Sequence, residues 1–260
     1  MKHTRSKNNG TKKHMRLLAI LLAPVVSLIL VVAAPEGWAK GGHGIEELDE
    51  AEVYIEWNST DTDYGIQFFW DSVGFTRMTV KNTMGKKVLD VKTSKNVKAQ
   101  GLTEGFFESV EPPASELSME EFLDRFPEGE YKFRGISIEK DLLVGETEFT
   151  HILPAPPENL SPKEGDVVRH TGFTASFDPV TMDTDGEELE IVLYVVVVEK
   201  EDDDPILQTF TVILPPSKTS VDVPAQFLEP DTVYKLEVIA QEESGNRTIA
   251  ETGPFTTDSE

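Results

Sequence analysis

The side chains that could do chemistry in this chain are mostly carboxylates. Its 260 residues include 47 Asp and Glu, five His and no Cys. Without cysteine there is no thiolate nucleophile, thiolate metal site, disulfide or lipid attachment behind a leader. Of the histidines, His43, His151 and His170 lie beyond residue 39, and no two stand at the His-x-x-x-His spacing that puts two ligands on one helix face. His151 keeps strand spacing with Phe149 and Leu153, which reads as a core or edge position rather than a ligand. A Gly-x-Ser-x-Gly elbow is missing, as are the glycine-rich runs that cradle phosphates or dinucleotides. A glycosidase needs two opposed carboxylates in a cleft, and a chain this rich in acids singles out no pair. What the acids do mark are two oxygen-rich turns: Asn58, Asp61 and Asp63 before Gly65, and Asp183 and Asp185 before Gly186. Turns of this kind can wrap a hard cation that takes about six to eight oxygen ligands, so Asp61, Asp63, Asp183 and Asp185 are candidate calcium ligands. Neither is an EF-hand loop, and Asp or Asn followed by Gly is also the ordinary vocabulary of β-turns. Beyond calcium no cofactor is expected, and no residue is assigned a catalytic role.

The charge balance narrows the partners. Lys and Arg number 24, for a formal net charge of −23. Residues 40–155 hold 12 bases against 23 acids, and 156–260 hold 6 against 23. Such a surface repels phosphate backbones and anionic lipid, which disfavours nucleic acid and lipid surfaces and favours cationic partners or divalent ions. High net charge also simply keeps a chain soluble. Residues 1–16 are basic and run into the uncharged stretch Leu17–Ala34, followed by Gly37-Trp38-Ala39 with small residues at −3 and −1. That is the layout of a signal peptide cleaved after Ala39. A retained anchor is the alternative, since eighteen apolar residues reach the lower limit of about 17–25 for a spanning helix, although Pro24 and Pro35 weaken it. Either outcome puts the bulk of the chain across a membrane. The expected location is periplasmic, cell-envelope or secreted, with membrane contact only through an uncleaved leader.

The elements that must position these groups are strands. Val53, Ile55 and Trp57 alternate with Glu52, Tyr54 and Glu56, and Ile66, Phe68 and Trp70 resume the period of two after the polar stretch 58–65. Phe75–Lys81 and Lys87–Thr93 read as a hairpin about Asn82–Gly85. Residues 118–126 form the one helix expected outside the leader, with Ser118 and Glu121 at capping-box spacing and Pro127 as its stop. Tyr131 and Phe133 face one way and Ile136 and Ile138 the other, which predicts a bulge at Gly135. Leu142–Leu153 completes the first set, and the prolines from Pro154 to Pro157 read as a stiff linker. Beyond it, Phe173, Ala175 and Phe177 alternate with polar residues, and the almost wholly apolar run Ile191–Val198 belongs in the middle of a sheet. Glu199–Asp204 reads as a solvated acidic loop. Sequons stand at Asn58, Asn159 and Asn246.

One run carries a family resemblance. Leu228-Glu-Pro230-Asp-Thr232-Val-Tyr234-Lys-Leu236-Glu-Val238-Ile-Ala240 is similar to the E–F turn and strand F of fibronectin type III domains, with Leu214–Val223 as the approach through strand E. The resemblance implies a tyrosine corner, in which the Tyr234 ring fills the core while its hydroxyl returns to the chain just upstream. It further implies that Ile191–Val198 is strand C, that Phe255–Thr257 closes the module, and that Phe177 stands where the family usually carries a tryptophan. The match covers residues 160–257. The N-terminal part, with its Gly129-x-Tyr131-x-Phe133 step, only loosely resembles bacterial immunoglobulin-like modules.

The expected chain is therefore all-β: a leader over 1–39, an immunoglobulin-like β-sandwich over 40–155 with one short helix, and a fibronectin type III-like sandwich over 156–260. Its expected role is that of an exported, non-catalytic binding or structural protein with a protein or polysaccharide partner. The alternatives are a calcium-stabilised adhesion or matrix component, and a carbohydrate-binding accessory subunit of a secreted enzyme system.

Overall fold

The computed structural model describes residues 44–201 and 208–259. The leader, His43 and the acidic residues Asp202–Asp204 lie outside them. Among the described residues no helix is long and apolar enough to cross a membrane.

The N-terminal half contains β1 (Ile45–Glu47), β2 (Glu50–Asn58), β3 (Asp63–Lys81), β4 (Lys87–Lys92), α1 (Lys95–Gln100), β5 (Leu102–Glu108), α2 (Met119–Arg125), β6 (Gly129–Ser137) and β7 (Leu142–Phe149). The two strands expected at residues 66–70 and 75–81 are one 19-residue strand, β3. Its first half pairs antiparallel with β2 and β5, its second half with β4 and β6, and the registers with β5 and β6 shift between Asp71 and Arg77, where partners change. One bent strand thus serves both layers around a single core. The bulge lies on β3, between Phe75 and Arg77, and not at Gly135. Gly135 sits in regular register opposite Met78, whose Cε would lie 2.8 Å from an added Cβ, so glycine there answers a close approach.

The core follows the period of two: Val53, Ile55, Ile66, Phe68, Trp70, Met78, Val80, Tyr131 and Phe133 are buried together. Trp70 stacks on Phe107 with ring centroids 5.2 Å apart. Helix α2 closes one end, its Phe122 ring 4.9 Å from that of Tyr64. Ser118 and Glu121 make both bonds of the expected capping box. Helix α1 was not foreseen; it has six residues, none of them buried.

The C-terminal half contains β8 (Val167–Val168), β9 (Gly172–Ser176), β10 (Ile191–Lys200), β11 (Thr209–Leu214), β12 (Ser220–Pro224), β13 (Val233–Glu242), β14 (Arg247–Glu251) and β15 (Phe255–Thr257). One layer is β9 against β12. The other runs β11-β10-β13-β14, with β15 continuing the β14 edge along β13 and β8 added parallel to β15. Strand β10 is central, as its apolar run requires: Tyr194, Val196 and Val198 enter the core, and Leu193, Val195 and Val197 on its other face are buried as well. Tyr234 is fully buried, and its hydroxyl accepts the Glu229 amide at 2.9 Å. Phe177 packs on the Tyr194 ring at 4.7 Å. With the tyrosine corner in place between two antiparallel layers, this half has the fibronectin type III-like fold.

The halves do not hang on a free linker. Strand β14 pairs parallel with β2, Arg247 opposite Glu56, Thr248 opposite Trp57 and Ile249 opposite Asn58, so a sheet runs from one sandwich into the other. The proline run between the two cores is tied down too: the Thr248 hydroxyl donates to the Pro154 carbonyl at 2.7 Å, and the Ala155 amide donates to Met182 at 3.0 Å.

Candidate functional site

The β2–β14 joint gathers polar groups that alternation alone would send to solvent. Tyr54 and Glu56 point away from the first core, yet each is only 4 % exposed. Arg247 reaches across from β14; its guanidinium lies 4.2 Å from the Tyr54 ring centroid, and its Nε is 3.7 Å from Glu56 Oε2, an ion pair without a hydrogen bond. Asn246, with no exposed surface, is the main tie. Its Oδ1 accepts the Ile55 amide at 2.7 Å, and its Nδ2 faces the Thr150 carbonyl, the Thr150 hydroxyl and the Ile152 carbonyl at 2.8–3.0 Å. On the other side Asn58 donates to Glu251 at 2.7 Å, and the Ser59 hydroxyl donates to the Ile249 carbonyl at 2.7 Å. An open groove of about 450 Å³ runs beside this contact, with Ser59, Pro157, Lys163 and Glu251 in its wall.

Carboxylates crowd the same place. Glu56 comes from β2, Glu108 from the end of β5, and Glu111 from the segment that follows. That segment is pinned across the start of β3: the Ser109 amide donates to the Ile66 carbonyl at 3.0 Å, its hydroxyl accepts the Ile66 amide at 3.1 Å, and the Ala114 amide donates to the Thr62 carbonyl at 2.8 Å. Glu111 therefore lies over Gly65, where an added Cβ would come within 3.0 Å of its side chain. One oxygen from each of the three glutamates falls within 4.8 Å of the others. Gln67 donates to Glu108 at 3.1 Å, while Glu56 Oε1 is buried with no hydrogen-bond partner among the described residues.

Burial and like charge raise the carboxyl pKa values here. Glu111 is pushed up to about 8, first by burial and then by Glu108, Glu56 and Asp63. Burial also raises Glu56, against the opposing pull of Arg247 and of the Gln67 side chain, and Glu108, against the Gln67 bond and Arg247. Further along the same sheet Glu237 is pushed up to about 8 by burial and by Glu251, Glu56 and Glu199. Carboxyls in this state hold protons, exchange them or take a cation.

The aspartates singled out in the sequence are placed differently. Asp61 is exposed in the β2–β3 turn, and Asp63 opens β3, its carboxyl raised by burial and by Asp61. Asp183 Oδ1 already accepts the amides of Asp185 and Glu187, each at 2.9 Å, which is turn chemistry. Among the described residues neither pair belongs to the three-carboxylate group. Of that group only Glu56 was visible in the sequence, as an outward position of an alternating strand. Glu108 and Glu111 stand about fifty residues away, and no local pattern joins them to it. His151 sits against the Phe126 carbonyl at 2.7 Å, and His170 pairs with Asp258 at 2.6 Å.

Comparison with known proteins adds little to the geometry. No protein-family model and no curated protein matches the chain. Among solved structures it is similar to the FN1–FN3 domains of chicken CNTN1, at 13 % identity and a TM-score of 0.38, over 84 % of this chain and 66 % of that one, just under two thirds of its length. It is also similar to fibronectin(III)-like modules of Clostridium thermocellum CbhA, at 9 % identity and a TM-score of 0.33, over 81 % of this chain and 93 % of that one.

Proposed function

We propose that this chain is an exported, non-catalytic binding or structural protein of the cell envelope or extracellular space. Residues 40–155 and 156–260 act as two coupled modules, with loops or a free sheet edge offered to a protein or polysaccharide partner. The observation that carries this reading is the joint: a parallel strand pair and the buried bonds of Asn246 make one body of two sandwiches. A body of that kind suits a spacer or scaffold that presents loops at fixed separation. The N-terminal residues supply the export half of the reading. Because the chain has no cysteine, one engineered thiol reports its own location. Lys218 is exposed, so Lys218→Cys in the full chain should react with a membrane-impermeant maleimide while the inner membrane is intact. Labelling only after lysis would refute export, and robust metal-independent turnover of a sugar, ester or peptide would refute the non-catalytic role.

A second reading, a calcium-stabilised adhesion or matrix component, is favoured by the three clustered carboxylates at the joint, of which Glu56 is buried. It expects a melting temperature that rises with calcium and falls with chelator, as mass action on the folded state requires.

A further inference from the structure

We propose that Glu56, Glu108 and Glu111 form a site for one hard divalent cation, calcium by chemistry, at the joint between the two sandwiches. The inference rests on the calcium reading above and moves the ion away from the aspartate turns. Two independent observations carry it. Three carboxylates from two stretches of chain, β2 and the end of β5 with the segment after it, bring ligand oxygens within 4.8 Å of one another. At the inner end of that group Glu56, 4 % exposed, leaves Oε1 with no hydrogen-bond partner among the described residues. A buried acceptor with nothing to accept from is costly, and a cation removes that cost.

Arg247 does not fill the role. It stands on the other oxygen of Glu56 at 3.7 Å without a hydrogen bond, and its guanidinium is committed to the Tyr54 ring. The donor set selects the metal class. Carboxylate oxygens, with no imidazole or thiolate in the group, suit calcium, magnesium or manganese rather than zinc or copper. Calcium is favoured over magnesium because it accepts irregular oxygen shells, and these ligands come from a strand, a strand end and the segment after it. The binding energy would fasten the 109–114 segment to β2 beside its pairing with β14, so that the ion stabilises the joint itself.

The test is calorimetric titration of the metal-free full chain with calcium chloride at about 0.15 M salt, where diffuse binding to surface acids is screened, paired with thermal melts in calcium and in chelator. We expect one ion per chain and a melting temperature several degrees higher in saturating calcium. Glu108→Gln and Glu111→Gln should each weaken binding about tenfold or more, whereas Asp183→Asn should leave it unchanged. Both glutamine variants should melt no lower than the parent in chelator, because each removes one of several crowded like charges; that keeps lost binding distinct from lost folding. Calcium binding that survives Glu108→Gln and Glu111→Gln, or is abolished by Asp183→Asn, would overturn the site while leaving the calcium reading intact. No heat and no melting shift in the parent would overturn both.

Discussion

Tyr234 and Tyr131 have no exposed surface, and their hydroxyls are in opposite situations. The Tyr234 hydroxyl accepts the Glu229 amide at 2.9 Å, closing the turn that leads into β13. Tyr131 Oη is buried with no hydrogen-bond partner among the described residues, and burial pushes its pKa up to about 12. A satisfied hydrogen bond contributes about 1 kcal/mol net, and an unsatisfied polar group costs about as much or more. Tyr234→Phe should therefore lower stability by about 1 kcal/mol, whereas Tyr131→Phe should be neutral or stabilising. Urea unfolding midpoints at constant slope would decide it. Equal losses in both variants would mean that ring packing, not the hydroxyl, sets the tyrosine corner. The corner was legible beforehand because its partner lies five residues upstream. The Tyr131 hydroxyl was not, because what surrounds it comes from distant strands.

The element that decides the architecture is the β13–β14 hairpin, and Asn246 at its turn does what a loop residue rarely does. Its amide reaches the Ile55 backbone in β2 and the carbonyls of Thr150 and Ile152 on the way out of the first sandwich. Asn246→Ala would leave that amide and those carbonyls unpaired in a dry contact, at a cost of about 3 kcal/mol. The loss should appear as faster hydrogen exchange at Ile55 and as a melting transition that splits in two, while both cores stay folded. A single unchanged transition would mean that the β2–β14 pairing holds without it. In the sequence Asn246 is only a sequon, and Asn58 likewise; both are buried, and both side chains are used inside the fold. The strand runs themselves were readable from their alternation, as was α2 from its capping box. The length of β3 was not, since the alternating runs at 66–70 and 75–81 read as two strands where the chain continues as one. Nor was α1, whose Lys-rich six residues bury nothing and leave no apolar stripe to detect.

At the scale of the whole molecule, several acids among the described residues gather on the sheet face that crosses the joint, and their placement sets how stability should follow pH. The sign of the net charge was legible in the sequence but its distribution was not, because Glu56, Glu108, Glu237 and Glu251 become neighbours only through pairings between β2, β3, β5, β13 and β14, and Glu50 meets Asp71 and Glu104 only through β3 and β5. Glu237 is held at about 8 by burial and by Glu251, Glu56 and Glu199, with Lys235 opposing them. Glu50 is held at about 7 by burial and by Glu52, Asp71, Asp49 and Glu104. In the unfolded chain both titrate near an ordinary glutamate value of about 4.3. Between that value and the raised ones the folded chain binds more protons than the unfolded chain, so stability falls as pH rises from about 5 to 8. The opposite sign applies to Asp90, held low by Arg77 and Lys87, and to Asp258, held low by His170: their contribution is lost only under more acid conditions. In chelator the melting temperature should therefore peak between about pH 4 and 6 and decline toward pH 8.5. Glu237→Gln and Glu50→Gln should each flatten the decline, and together more than either alone, since each group has a different set of like-charged neighbours. A profile that rises from pH 5 to 8, or one that the two substitutions leave unchanged, would mean that these carboxyls are ionised and solvated in the folded chain.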